Sequence, residues 1–382
     1  MAKVKKGEGA EVEWEEKGSF PIRFVDDLFD PENTQLADAL REATGADEPR
    51  MMLVADSNVV QRNQGLGSQI GRYVQEHHIR LVANPVVLGG GEKLKSDSFH
   101  TVLKVASAAI DARIGANDVM FVLGGGTVID VAGYAASQVR GGIKVVRAPT
   151  TIAAMADASF ATTSCVDAVN VKDAMCVPCR PAAVLIDASF AGTVLDGVWR
   201  GGIGEMIRFA AARDASLLKH IAKNALSLRN RDEGAMCETI RDCVVSRAKK
   251  GGTSFGLWSA MRLEAMSGYK LPHGYAVPIG ISIDCAYAVA KGVMKQEDGE
   301  LVRNALAETG ALDGLFHSRH LLTQTENILF GLDAWRLTPA GRDGVEIVTS
   351  PGKTTVESAP DREAYGQAIE DIVASCFAPH RE

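Results

Sequence analysis

Residues 122–133 read Val-Leu-Gly-Gly-Gly-Thr-Val-Ile-Asp-Val-Ala-Gly, an apolar run that breaks on three glycines and resumes as a helical pattern. Gly124, Gly125 and Gly126 let a backbone come close to a ligand. The helix that starts at Thr127, with Asp130 near its beginning, offers free N–H groups and a positive dipole end to a phosphate. A plain tight strand–helix turn would use the same residues, so the triplet gains meaning from what flanks it. Asp56 and Asn58 stand just past another apolar run, and Gly90-Gly91-Glu92 past a third, with Lys95 close behind. Further along, Glu205 sits in an apolar helical stretch, where a carboxylate needs a partner such as Arg208, His273 or a metal. His273 follows Pro272 at a helix start and reads equally as a capping or packing histidine, just as Lys353 reads equally as a surface residue or a phosphate ligand.

The elements that must position these groups fall into two halves. Between about Phe24 and Pro149 strands and helices alternate. Met51–Ala55 is a buried-type strand, Gln64–His77 a helix, Arg80–Leu88 a strand region, Ser98–Ala112 a helix and Val119–Leu123 the strand before the glycines. That alternation with short links predicts an α/β, Rossmann-like parallel sheet whose ligands gather at the carboxyl ends of the strands. From about Asp187 the pattern turns to long helices: Val198–Arg213, Ala215–Leu228, Gly234–Lys249, Ser254–Ser267 and His273–Ala290. Strand signals return only at Val345–Thr349. The expected domains are therefore residues 20–186, Rossmann-like and nucleotide-binding, and 187–382, mostly α-helical and carrying the metal and substrate groups.

Composition bounds the partners. The 382 residues carry a net charge of -7 with 46% hydrophobic and 23% charged residues, as in an ordinary globular protein of about two domains. The Lys3–Lys6 stretch is the one basic block and reads as a solvated tail, so no nucleic-acid partner is expected. No apolar run is long enough for a membrane span, and the start of the chain is too charged for a signal peptide. Seven scattered cysteines fit a reducing cytoplasm, and Cys176-x-x-Cys179, with no second pair, is read as neither a zinc nor a redox site.

Several segments occur in the order found in one family. They are Val54-Ala55-Asp56-Ser57-Asn58, Gly91-Glu92-Lys93-Leu94-Lys95, Gly124–Gly133, Pro149-Thr150-Thr151 followed by Asp157, and Lys172-Asp173. Gly202-Ile203-Gly204-Glu205-Met206-Ile207-Arg208, Gly268-Tyr269, His273-Gly274-Tyr275-Ala276-Val277 and Pro351-Gly352-Lys353 continue the set. Over about residues 20–375 the chain resembles the dehydroquinate synthase-like superfamily, and within it the sugar phosphate cyclases. The glutamate at position 205 favours the cyclases over the alcohol dehydrogenase relatives. The resemblance implies NAD across the cleft, with Asp56 on a ribose, Glu92 and Lys95 on the adenosine side and the glycines at the pyrophosphate. Thr150, Thr151, Asp157 and Lys172 would line the nicotinamide and substrate. It further implies a small-molecule substrate, a homodimer, and a cycle of oxidation, phosphate elimination, reduction and aldol-type ring closure. A divalent ion, usually zinc, is held in the family by one Glu and two His.

The chain departs from that pattern where the metal should sit. Glu205 and His273 match two ligands, but the expected Gly-His-x-x-Gly-His segment reads Gly256-Leu257-Trp258-Ser259-Ala260-Met261, so Leu257 replaces the third. Two protein ligands rarely hold a catalytic zinc, which leaves open a substitute from His220, Asp284 or Cys285. Thr163 replaces a phosphate-binding lysine, Arg247 another lysine and Tyr275 a glutamate, and about ten residues are missing between Lys250 and Phe255. With Leu, Trp, Met and Tyr at such positions, a more apolar pocket is expected. The leading expectation is a divergent NAD-dependent cyclase of specialised metabolism, with Lys172, Glu205, Arg208 and His273 around the substrate. The alternatives are a metal-independent enzyme on the same fold, a simple dehydrogenase and a non-catalytic NAD- or partner-binding relative.

Overall fold

The computed structural model describes residues 18–97 and 99–377, the side chains of residues 316, 317, 376 and 377 excepted. The Lys3–Lys6 stretch, Ser98 and the side chain of Cys376 lie outside the described residues. A seven-stranded parallel sheet is built from β1 (Ile22–Phe24), β2 (Arg50–Asp56), β3 (Arg80–Leu81), β4 (Val86–Leu88), β5 (Val119–Gly124), β6 (Lys144–Pro149) and a later strand, Pro181–Ile186. Helices α1 (Gln35–Thr44), α2 (Ser57–Arg62), α3 (Leu66–Glu76), α4 (His100–Asp111), α5 (Gly126–Gln138) and α6 (Ile152–Ala156) alternate with these strands. Between β6 and the last sheet strand the chain makes an antiparallel hairpin, β7 (Thr163–Ala168) and β8 (Val171–Pro178), so the last sheet strand is β9.

Strand composition explains the layering. β5, Val-Met-Phe-Val-Leu-Gly, is buried along its whole length, as a central parallel strand must be when both faces are covered. Its alternate side chains divide between two cores. Val119, Phe121 and Leu123 join Met51, Leu53 and Ala55 on the face that continues into the helical half. Met120 and Val122 join Met52 and Val54 beneath α4 and α5. From β2 the chain goes to β4 on one side and returns through β5 on the other, so the strand order reverses between β2 and β5. Parallel register aligns Asp56 with Leu88, Ala55 with Leu123, and Gly124 with Pro149, which brings four strand ends into one row beside that switch point.

The helical half comprises α7 (Asp196–Arg213), α8 (Ala215–Lys223), α9 (Ala225–Arg229), α10 (Glu233–Lys250), α11 (Leu257–Met266), α12 (His273–Ala290), α13 (Gln296–Glu308), α14 (Arg319–Leu322), α15 (Thr325–Trp335) and α16 (Arg362–Phe377), with a hairpin of β10 (Val345–Ser350) and β11 (Lys353–Glu357). Gly197, Gly201 and Gly204 fall on one face of α7. A Cβ on Gly201 would lie 2.6 Å from the Gly274 Cα, and one on Gly204 would lie 2.7 Å from Pro278. Glycine inside a helix costs about 1 kcal/mol relative to alanine, and here that cost goes with a backbone-to-backbone approach of α7 to α12. Pro272 ends in extended conformation and α12 begins at His273, which fixes that side chain at the helix entrance. Glu205 lies one turn beyond Gly201 on α7, so the glycine seam brings the two residues face to face.

Candidate active site

A cleft of about 650 Å³ opens at the row of strand ends and runs to the start of α12. Asp56, Asn58, Glu92, Lys95, Gly125, Gly126, Thr127, Asp130, Thr150, Thr151, Asp157, Lys172, Glu205 and His273 all line it. Two anticipated residues do not. Gly124 is enclosed at the end of β5, where a Cβ would meet Val128 at 2.8 Å. Arg208 is fully buried behind Glu205 and is a support for that carboxylate rather than a cleft residue.

On the glycine side the surfaces are cut close. Asp56 caps α2, its Oδ1 accepting from the Asn58 N–H at 2.8 Å and from the Asn58 side chain at 3.0 Å. A Cβ on Gly90 would fall 2.7 Å from Asn58 Nδ2 and 2.9 Å from Asp56 Oδ2, and one on Gly125 would lie 3.1 Å from Thr151 Cγ2. Gly125 has φ -73°, so the triplet serves close approach and not a left-handed turn. The Thr150 hydroxyl is buried with no protein partner, a donor and acceptor left over for something else.

Across the cleft runs a chain of alternating charges. Lys95 donates to Asp130 at 2.8 Å and to Asp173. Lys172 donates to Glu92 and, at 2.6 Å, to Glu264. The other Glu264 oxygen lies 2.8 Å from His273 Nδ1, and His273 Nε2 lies 2.9 Å from Glu205 Oε1. Arg208 Nε then donates to Glu205 Oε2 at 2.8 Å and its Nη2 to Asp157 at 3.0 Å, while Arg247 reaches Asp157 at 3.1 Å. Burial alone would neutralise His273, but Glu264 and Glu205 outweigh it and push the pKa up to about 10. Burial would likewise raise Glu205, but Arg208 and His273 pull it down to about 2. Against the same penalty, Glu264 and Glu92 raise Lys172 above its ordinary value. At neutral pH His273, Glu205 and Lys172 are all charged.

Glu264 is the member of this charged chain that the sequence reading overlooked. It is the one carboxylate of α11 and is completely buried. A lone acid in an apolar helix, the signal that singled out Glu205, marks it too. Of the four residues behind the apolar-pocket expectation, three lie away from the cleft. Trp258 is buried against Tyr365 and donates to Asp284, and Leu257 and Met261 pack on the core, whereas Tyr275 does line the cleft. Glu92 and Lys95, assigned to the adenosine side, share one ionic network with Lys172.

A further correction concerns the cysteines. Cys165 and Cys176 form a disulfide across the β7–β8 hairpin, while Cys179, Cys237, Cys243 and Cys285 are free. Two strands that hold directly opposed positions bring together cysteines eleven residues apart, a pairing that spacing alone does not reveal. Among the described residues no helix is long and apolar enough to cross a membrane.

Models of the 3-dehydroquinate synthase N-terminal and C-terminal domains match residues 85–200 and 202–315. The chain belongs to the dehydroquinate synthase-like family, in its sugar phosphate cyclase branch. It is 29% identical to the 3-dehydroquinate synthase of Sulfurisphaera tokodaii over 238 residues, which is 59% of this chain and 66% of that enzyme. To the 2-epi-5-epi-valiolone synthase of an Actinomyces species it is 26% identical over 305 residues, 74% of this chain and 78% of the relative. The matched stretch thus spans just under two thirds of the first of these relatives. Among solved structures, the 2-epi-5-epi-valiolone synthase of Streptomyces hygroscopicus, determined with NAD+ and Zn2+, superposes with a TM-score of 0.78 at 20% identity, covering 96% of this chain and 99% of that one. A 2-deoxy-scyllo-inosose synthase with carbaglucose-6-phosphate, NAD+ and Co2+ gives 0.75 at 16% identity, covering 92% and 96%. At these identities the structural likeness establishes the fold.

The cleft suits the first of those groups and not the metal. The close Gly90 and Gly125 surfaces and the unpartnered Thr150 hydroxyl are compatible with a dinucleotide at the strand ends. A divalent ion needs lone pairs converging on one point. Here Glu205 and Glu264 occupy opposite nitrogens of the same imidazole, the second Glu205 oxygen is taken by Arg208, and position 257 is aliphatic. None of the considered substitutes completes the set. Asp284 is engaged by Gly256, Trp258 and Tyr365, Cys285 is buried, and neither of these nor His220 lines the cleft. Among the described residues His220, Glu238 and Asp242 do lie close enough to share an ion, but they are outside the cleft and Asn224 sits 3.1 Å from the ring.

Proposed function

We propose that this chain is an NAD-dependent enzyme of the sugar phosphate cyclase type that acts on a polyhydroxylated small molecule without a bound divalent metal. The observation that carries the proposal is that one cleft is lined by the strand-end cradle and by Lys172, His273 and Glu205, which the buried Glu264 ties together from behind. Asp56, with Oδ2 facing Gly90 and not taken by Asn58, would accept from ribose hydroxyls and repel a 2′-phosphate. Gly90, Gly125, Gly126 and Thr150 would hold the phosphate-bearing part. Bound NAD would take a hydride from a substrate hydroxyl carbon and later return it.

The remaining work falls to fixed charges. Lys172 spends two of its three N–H groups on Glu92 and Glu264 and keeps the third for a substrate oxygen. Because its proton is held firmly, Lys172 is a donor and not a base. Donors fixed in advance beside a developing negative charge stabilise it without reorganisation at the moment of reaction. His273, held charged, supplies a positive field to the cleft at the entrance of α12. We further propose a homodimer and a role in specialised metabolism, both on the resemblance and on the departures at residues 163, 247, 257 and 275.

The test begins with NAD titration by calorimetry, followed by incubation of the NAD-loaded protein with a panel of ketose phosphates. Phosphate release with a cyclic product and no net NADH supports the proposal. Accumulating NADH would replace it with a simple dehydrogenase, and NAD binding with no turnover of any substrate would favour a non-catalytic relative.

A further inference from the structure

We propose that Cys165 and Cys176 form a reversible thiol–disulfide exchange site that sets how the β7–β8 hairpin presents Lys172 and Asp173 to the cleft. The two cysteines are directly opposed in the hairpin register, with one rung, Val166–Met175, between them and the bulge that contains Asp167. Cys176 is exposed, so an external thiolate can reach its sulfur. Cys179 is buried, so an external thiol does not reach it.

Each arm of the disulfide touches a carboxylate residue that holds Lys95. The Cys165 N–H donates to Asp130 Oδ1 at 3.3 Å, and the Cys176 sulfur lies 3.4 Å from the Asp173 carbonyl oxygen. Asp173 has φ 51°, an uncommon left-handed conformation for a residue within a strand, held by its N–H donating to Asp167 at 2.9 Å. Lys172 precedes it on the same strand and bridges to Glu264 in the helical half. A cross-link one rung from so constrained a segment fixes it, and opening that cross-link releases it. Reduction also changes the local chemistry, because a Cys176 thiol can donate to the Asp173 carbonyl and a disulfide sulfur cannot.

The exchange needs an external dithiol. One of its thiolates attacks the Cys176 sulfur and expels the Cys165 thiolate, which takes up a proton. The second thiolate then attacks the mixed disulfide and releases Cys176. Two electrons enter the protein, and the dithiol leaves as a cyclic disulfide.

The predicted effect on cofactor affinity rests on the proposal that NAD occupies the cleft, so the experiment carries a readout that does not need NAD. The whole protein is poised with oxidised glutathione or reduced with dithiothreitol, beside a Cys165→Ser/Cys176→Ser variant. Each sample is alkylated and mapped by mass spectrometry, and Lys172 and Lys95 are followed by amine acetylation. In the oxidised sample a peptide joined through 165 and 176 is expected, with both lysines acetylated slowly. The reduced protein and the double variant should acetylate severalfold faster and bind NAD severalfold more weakly. Full alkylation of both cysteines in the oxidised sample would overturn the proposal, as would equal acetylation in the two redox states. Faster acetylation on reduction with no NAD binding in either state would support the exchange site and overturn the cofactor assignment alone.

Discussion

Glu264 Oε1 stands 2.8 Å from His273 Nδ1, and its second oxygen stands 2.6 Å from Lys172. One buried carboxylate thereby joins the hairpin of the sheet half to the helix entrance of the other. Removing it leaves the buried Lys172 ammonium to Glu92 alone and the part-buried His273 ring to Glu205 alone, two positive charges facing each other. Glu264→Ala should cost about 3–5 kcal/mol of stability, the usual result of removing one partner from a buried ion pair, read as a lower urea midpoint. Glu264→Gln should lose less and should lower the His273 pKa, measured from its ring protons by NMR. An unchanged His273 titration in both variants would contradict this linkage.

Stability should depend on pH at both ends of the same chain. The His273 pKa is raised from 6.5 to about 10, so its contribution is fully present below about 6.5 and is lost as pH rises through 10. Glu205 is lowered from 4.5 to about 2, so its contribution is present above about 4.5 and is lost as pH falls through 2. Thermal melts should therefore show highest stability between about pH 4.5 and 6.5 from these two groups, with a slow alkaline decline. His273→Asn should abolish the alkaline slope assigned to that ring.

Protein purified without chelator should carry no stoichiometric zinc or cobalt by elemental mass spectrometry. EDTA should leave both the melting temperature and NAD affinity unchanged. About one metal ion per chain, lost in Glu205→Ala, would show that the carboxylates and imidazole rearrange around an ion.

Gly90→Ala should weaken NAD binding about tenfold, equivalent to about 1.4 kcal/mol, because the new Cβ displaces Asp56 or Asn58. Gly89→Ala, with nothing within 4 Å of its Cβ, is the matched control. Asp56→Asn should narrow the preference for NAD over NADP. Equal affinity in the two glycine variants would move the cofactor away from these strand ends.

Much of the sheet half was legible because its strands are uniformly apolar and end on glycine or aspartate. β5 was expected at 119–123 and runs to Gly124, and α12 covers the expected His273–Ala290. The β7–β8 hairpin was not legible. Its exposed strand carries Lys172, Asp173 and Cys176 among apolar residues, with no clean alternation to mark two strands. The expected helix at Ala215–Leu228 breaks into α8 and α9 at Asn224, which ends the first and starts the second. At the site, residue types located Glu205, Lys172 and His273, but the direct contacts among them depend on how α7, α11 and α12 pack. That packing places Glu264 in their midst, which no one-dimensional spacing encodes.

A contact between two main chains has no rotamers. Where α7 meets α12 through Gly201 and Gly274, the gap between positions 205 and 273 is therefore set before any side chain is chosen. What fills that gap is then decided by the side chains at 205 and 273 and not by the scaffold. The same rigidity limits what can be exchanged: Glu205→Asp shortens the reach by one methylene, and no backbone movement is on hand to recover it.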